Sequence, residues 1–117
     1  MSQPKVTMNV RRAGDAASIV DIHGEVTGFA EEALMDAYTQ ASQGDTRAVI
    51  LNFNQLEYMN SSGIGLLVTL LIRAQRRQQR LFAFGLSEHY RQIFELTRLD
   101  DAIPVYATEV EAVAGVR

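Results

Sequence analysis

Residues Ala48-Val49-Ile50-Leu51-Asn52-Phe53 form a short, almost continuous apolar run. A strand without polar alternation suits the centre of a sheet buried on both faces. What flanks it narrows the fold further. Upstream, Val6, Met8 and Val10 alternate with polar residues and predict a first strand from about Lys5 to Arg12. Ala13-Gly14-Asp15 reads as a hairpin turn. A second strand, Ala17 to His23, carries Ile19, Val20 and Ile22 and is broken by Gly24. Phe29 to Ser42 reads as a helix with Ala30, Ala33, Leu34, Ala37, Tyr38 and Ala41 on one face and Gly44 closing it.

Downstream, a helix running to about Gln79 places Ile64, Leu67, Val68, Leu71 and Ala74 or Gln75 on a common face. Leu81-Phe82-Ala83-Phe84 is a further strand, ended by Gly85. Ser87 caps a short helix, His89 to Leu96, with Ile93, Phe94 and Leu96 inward. Ile103-Pro104-Val105-Tyr106 reads as an edge strand, where proline is tolerated. Thr108 caps a last helix whose apolar side is Val110 and Val113. The order β-β-α-β-α-β-α-β-α predicts an α/β domain with a mixed sheet of about four to five strands. Its parallel portion follows the initial hairpin, and helices this short are expected mainly on one face.

The 117 residues fit a single domain, 1–117. With no cysteine there is neither a disulfide framework nor a thiolate metal site. Met1-Ser2-Gln3-Pro4-Lys5 lacks the apolar core of a signal peptide, and the longest apolar stretch, Ile64 to Ile72, is far too short to span a bilayer. The expectation is a soluble, cytoplasmic protein without membrane insertion. A net charge of −3 disfavours nucleic acid as a direct partner. Arg73, Arg76, Arg77 and Arg80 recur at spacings of three and four and would form one basic stripe on a helix. Such a stripe is either a solvated outer face or a docking stripe for an acidic partner surface.

The densest local signal is Tyr58-Met59-Asn60-Ser61-Ser62-Gly63-Ile64-Gly65, at a strand-to-helix junction. A serine here lies beside free backbone N–H groups and the positive end of the helix dipole, a favourable place for a phosphate. Asn60 or Ser61 can cap the helix. Capping does not account for Gly63 and Gly65, each of which costs a helix about 1 kcal/mol relative to alanine. Two glycines in one spot point to close access to the backbone.

Other chemistries lack their residues. His23 and His89 are the only histidines and have no metal-ligand spacing. A nucleophile elbow needs glycine two residues before its serine, but Met59 and Asn60 stand there. No glycine-rich turn is followed by Lys-Ser or Lys-Thr, and Gly-x-Gly-x-x-Gly is absent. The chain is therefore expected to have no catalytic residues, no cofactor and no metal, and not to be an enzyme.

Glu57-Tyr58-Met59-Asn60-Ser61-Ser62-Gly63-Ile64-Gly65 resembles the Asp-Ser-Ser/Thr-Gly-Leu/Ile-Gly signature of bacterial anti-sigma factor antagonists, which carry the STAS domain. Ile22-His23-Gly24-Glu25-Val26 is similar to that family's Gly-Glu-Leu-Asp after the second strand, and Leu86 to Leu99, with Phe94, Leu96 and Leu99, resembles its helix and following turn. The likeness covers about residues 5 to 113. It implies partner switching: the unmodified antagonist binds an anti-sigma factor with serine kinase activity and so frees a sigma factor. Phosphorylation then falls on the first serine after the acidic residue, here matched by Ser61, with Ser62 the second choice. A metal-dependent serine phosphatase resets the switch. The contact surface it implies comprises Asn60, Ser61, Ser62, Gly63, Ile64, Gly65 and Leu66, with Gly24 and Glu25. Arg73, Arg76 and Arg77 would form a charged rim. Asn60 stands where the signature carries Asp, and Thr27 where Gly-Glu-Leu-Asp ends in Asp. The alternative is a constitutive scaffold subunit of a signalling or transport complex, of the same fold and without serine phosphorylation.

Overall fold

In the computed structural model, which describes residues 5–116, the apolar run at 48–53 is the buried half of a longer strand. The strands are β1 (Val6–Arg12), β2 (Ala17–Val26), β3 (Ala48–Met59), β4 (Arg80–Phe84) and β5 (Val105–Tyr106). The α-helices are α1 (Glu31–Ala41), α2 (Ser61–Arg76), α3 (Glu88–Leu96), α4 (Leu99–Ala102) and α5 (Glu109–Val116), and a 3₁₀ turn at Gly28–Ala30 leads into α1. The five strands lie in the order β1-β2-β3-β4-β5. The β1–β2 hairpin is antiparallel and every later pairing is parallel. The expected mixed α/β sheet is the one observed.

The two faces are covered unequally. Val20, Ile22, Leu51, Phe53 and Leu81 point to the side where α1, α2 and α3 supply Leu34, Tyr38, Leu67, Leu70 and Phe94. A smaller cluster on the other side joins Ile19, Ile50, Phe82 and Phe84 to Ala112 and Val113 of α5. One helix thus covers the back. It is fastened by Arg11, whose guanidinium donates to Asp21 on β2 at 2.8 Å and to Glu109 on α5 at 2.6 Å. Hydrogen bonds from Arg11 hold both carboxyls below their ordinary range, and the two carboxylates raise Arg11.

Several boundaries and phases differ from the sequence expectation. β2 runs through Gly24 to Val26 and does not stop at His23. Gly24 adopts φ +108 beside a register shift against β3, and a Cβ there would collide with the Lys5 carbonyl. α2 stops at Arg76 because Gln78 turns left-handed at φ 58, so Arg80 belongs to β4 and not to a helical stripe. On α2 the buried side is Gly63, Leu66, Leu67, Leu70 and Ala74, and Val68, expected inward, is 41% exposed. Leu96 is 84% exposed where the sequence placed it inside, since Phe94 and Tyr90 supply the packing face of α3. In α5 Val113 packs inward as expected beside the buried Ala112, and Val110 faces outward. α4 is a short helix absent from the predicted order.

Candidate functional site

α2 begins where β3 ends. Asn60 is extended and caps the helix: its Oδ1 accepts from the Gly63 N–H at 2.9 Å, and its own N–H donates to the Val26 carbonyl at 3.3 Å. Helix geometry leaves the N–H groups of Ser61 and Ser62 without an intrahelical acceptor. Neither has another partner among the described residues. Both side chains are exposed. The paired serines therefore present two hydroxyls, two free donors and the positive helix end to solvent.

The two glycines of the motif have different reasons. A Cβ on Gly63 would run into the carbonyl oxygen of Val26 and lie 2.9 Å from Met59 Cγ. Gly63 is buried, and it lets α2 sit against the end of β2. A Cβ on Gly65 would meet nothing within 4 Å. Gly65 is exposed, so nothing inside the domain requires its missing side chain.

From Ser61 an exposed ridge follows the helix at spacings of three and four: Ser61, Gly65, Val68, Ile72 and Arg76. Val68 and Ile72 are 41% and 44% exposed. The 3₁₀ turn flanks the upper end of this ridge, with Gly28 beside Ser62 and Phe29 65% exposed. Tyr58, at the end of β3, is half exposed. Thr27 accepts from the Phe29 N–H at 3.3 Å and so caps the 3₁₀ turn. Beyond Asn52 the strand β3 has lost β4 as a neighbour, and Tyr90 of α3 fills in: its hydroxyl accepts from the Met59 N–H at 2.9 Å, next to the motif.

The residues read from sequence thus fall into four groups. Asn60, Ser61, Ser62, Ile64 and Gly65 gather at the start of α2, Ile64 being half-buried. Gly63 and Leu66 are buried in the domain. Gly24 and Glu25 lie within β2 near its end, with Glu25 half-buried. Arg73, Arg76 and Arg77 are exposed but occupy the far end of α2, so they do not rim the serines. At a rise of 1.5 Å per residue, Ser61 and Arg76 are about 22 Å apart. Phe29, Tyr58, Val68, Ile72 and Tyr90 were missed. Amphipathic spacing alone cannot tell an outward valine from an inward one.

Charge is distributed along the same axis. Glu25, Glu31, Glu32 and Glu57 lie at strand ends or in a first helical turn near the serines. Acids favour helix N-termini, which accounts for part of this arrangement. Among the described residues no group of three or more His, Asp or Glu is placed to hold a metal ion, and no helix is long and apolar enough to cross a membrane.

The comparisons with known proteins concern the domain as a whole. The family model for the STAS domain matches residues 7–112. The chain belongs to the STAS domain family. An anti-sigma-B factor antagonist of Staphylococcus aureus is 32% identical over 93 residues, 79% of this chain and 86% of that protein. The Staphylococcus epidermidis protein of the same name is 31% identical over the same shares. Among solved structures, the unphosphorylated anti-sigma factor antagonist SpoIIAA superposes with TM-score 0.73 at 25% identity, covering 95% of this chain and 98% of its own. The phosphorylated form of Bacillus SpoIIAA gives 0.72 at 26%, covering 95% and 100%. An antagonist from Mycobacterium paratuberculosis shares the fold, with TM-score 0.81 at 24% identity over 100% and 99% of the two chains. The family resemblance carried by the serine motif therefore extends through nearly the whole STAS domain.

Proposed function

We propose that this STAS domain is an anti-sigma factor antagonist that works by phosphorylation-controlled partner switching. Unphosphorylated, it binds an anti-sigma factor with serine kinase activity through the start of α2, and a sigma factor is released. Phosphorylation of Ser61, or of Ser62 in its place, ends that binding, and a metal-dependent serine phosphatase restores it. The observation that carries this reading is the exposure of both hydroxyls at a helix start that opens onto the apolar ridge of Val68 and Ile72. The names of the staphylococcal relatives, and the two forms of SpoIIAA, support it.

The physical effect of the phosphate is local. It adds about −1.5 to −2 charges. Within the domain the free N–H groups and the helix dipole offset that charge by about 0.3–1 kcal/mol. Under a docked partner the phosphate loses its hydration, at a cost on the order of several kcal/mol if unpaired. A penalty of about 4 kcal/mol weakens binding roughly a thousandfold. The switch therefore excludes the partner without refolding the domain.

The test is incubation with the cognate kinase and ATP, phosphate mapping by mass spectrometry, and binding of Ser61→Ala and Ser61→Asp. Phosphate at Ser61 or Ser62, with binding kept by alanine and lost by aspartate, is expected. An unmodified protein whose Ser61→Asp variant binds like wild type would refute the reading.

One observation favours a second reading. Asn60 replaces the acid of the signature and is already engaged with the Gly63 N–H, so the kinase site is offered no carboxylate there. A constitutive scaffold subunit would form a complex indifferent to both Ser61 variants.

A further inference from the structure

The basic stripe remains unused by the serine surface. Arg73 and Arg76 lie in the last turn of α2, and Arg77 is its C-cap. Arg80 opens β4, and its N–H donates to the carbonyl of Arg47, just before β3, at 2.8 Å. All five are exposed, and none forms an ion pair with a described residue. Asp15 and Asp45 lie in neighbouring turns, and Asp101, paired with Arg98, lines a groove with Arg80; against five arginines the pole stays net positive. The helix dipole accounts for Arg73, Arg76 and Arg77. It does not account for Arg47 and Arg80, which stand at strand starts.

The pole is also rigid. Gln79, buried beneath it, accepts from the Tyr38 hydroxyl at 2.6 Å and donates to the Thr46 carbonyl at 3.0 Å. The Arg80 guanidinium stacks 4.6 Å over the Phe82 ring. These contacts hold the chain on both sides of the arginines and reduce the ordering cost of binding.

We propose that this arginine pole is a second docking surface, for a carboxylate-rich amphipathic segment of a protein partner. It goes beyond the serine switch and stands whether or not Ser61 is phosphorylated. Of the 11 basic residues in the chain only Lys5 is lysine. Guanidinium forks match carboxylates in bidentate geometry, where an ammonium acts as a point charge. Leu71, half-buried and lining a groove with Arg80, supplies the apolar neighbour that an amphipathic segment uses. Nucleic acid fits less well: the net charge is −3, and the exposed aromatics Phe29 and Tyr58 are at the opposite pole. A lipid surface fits less well because no exposed aromatic or leucine adjoins the arginines on α2.

The probe is a fluorescein-labelled helical peptide with glutamates along one face and leucines beside them, titrated by anisotropy into the full chain. Backbone NMR shifts should map to Arg73, Arg76, Arg77, Arg80 and Arg47. Replacing Arg73, Arg76 and Arg77 by Gln should weaken binding by roughly threefold to a hundredfold, the product of about 1.4-fold to fivefold for each exposed pair. Arg76→Gln alone should weaken it by about twofold to fivefold, which guards against a folding defect in the triple variant. Raised salt should weaken binding in the wild type more than in the triple variant. Ser61→Asp should change the affinity by less than about twofold, separating this surface from the serine switch. Absence of peptide binding, indifference to the arginine substitutions, or loss of binding in Ser61→Asp would overturn the proposal. So would tighter binding of an RNA hairpin or of phosphatidylglycerol vesicles than of the peptide.

Discussion

Replacing Gly63 and Gly65 by alanine, one at a time, should move stability in opposite directions. In a helix interior each exchange brings about 0.8–1 kcal/mol through helix propensity. At Gly65 the new methyl meets nothing within 4 Å, so the gain stands alone. At Gly63 the methyl meets the Val26 carbonyl and comes within 2.9 Å of Met59 Cγ. Overpacking costs about 1–3 kcal/mol. A carbonyl fixed at the end of β2 cannot rotate away as a side chain can, which puts the cost near the upper end. The net loss at Gly63 is then about 2 kcal/mol. Unfolding entropy near the midpoint scales to about 0.25 kcal/mol/K for 117 residues, so about 1 kcal/mol moves Tm by roughly 4 °C. Differential scanning calorimetry should show Gly63→Ala about 8 °C below wild type and Gly65→Ala about 4 °C above it. If both variants rise together, or Gly65→Ala falls, the division between an internal and an external glycine is wrong. On the proposed function, the same Gly65→Ala protein should bind an anti-sigma factor more weakly despite its higher Tm, because the added methyl stands on the ridge proposed for that contact.

Tyr90→Phe removes the acceptor for the Met59 N–H and should cost about 0.5–1.5 kcal/mol in urea denaturation, without altering the fold. Asn60→Ala removes the α2 cap and should cost about 1 kcal/mol, while Asn60→Asp should restore it. Asp21 and Glu109 are held below their ordinary values of 3.8 and 4.5 by Arg11. Their contribution is complete above those values and is lost as pH falls through the lowered ones. Stability measured by denaturant should therefore drop with acid below about pH 4.5. Arg11→Met should flatten that slope, and an unchanged slope would remove the Arg11 clamp from consideration.

Much of the scaffold could be read from residue order alone. The almost continuous apolar run at 48–53 suits only a strand buried on both faces, and the alternation at 6–10 and the helical spacing at 30–41 each have one economical solution, because a two-residue or 3.6-residue period sorts apolar groups to one side. The serine motif was legible for a related reason: polar caps and glycines together leave few conformations at a strand-to-helix junction. What escaped the sequence depends on contacts between distant segments. Gly63 and Gly65 look alike in the chain, and only the arrival of Val26 separates a packing glycine from an open one. Leu66 and Val68 differ by 200° of helical rotation, but both fit an apolar helix until the sheet selects which side is covered. Gly24 reads as a strand break, yet β3 extends far enough to keep β2 paired beyond it. The arginine spacing describes a stripe. The turn at Gln78 and the placement of β4 beside β3 convert it into a pole that brings in Arg47 and lies at the other end of the molecule from the serines. Periodicity is a local property carried by neighbours in the chain. Which face meets a neighbour, and which end of a helix meets which strand, is decided by packing across long sequence separations.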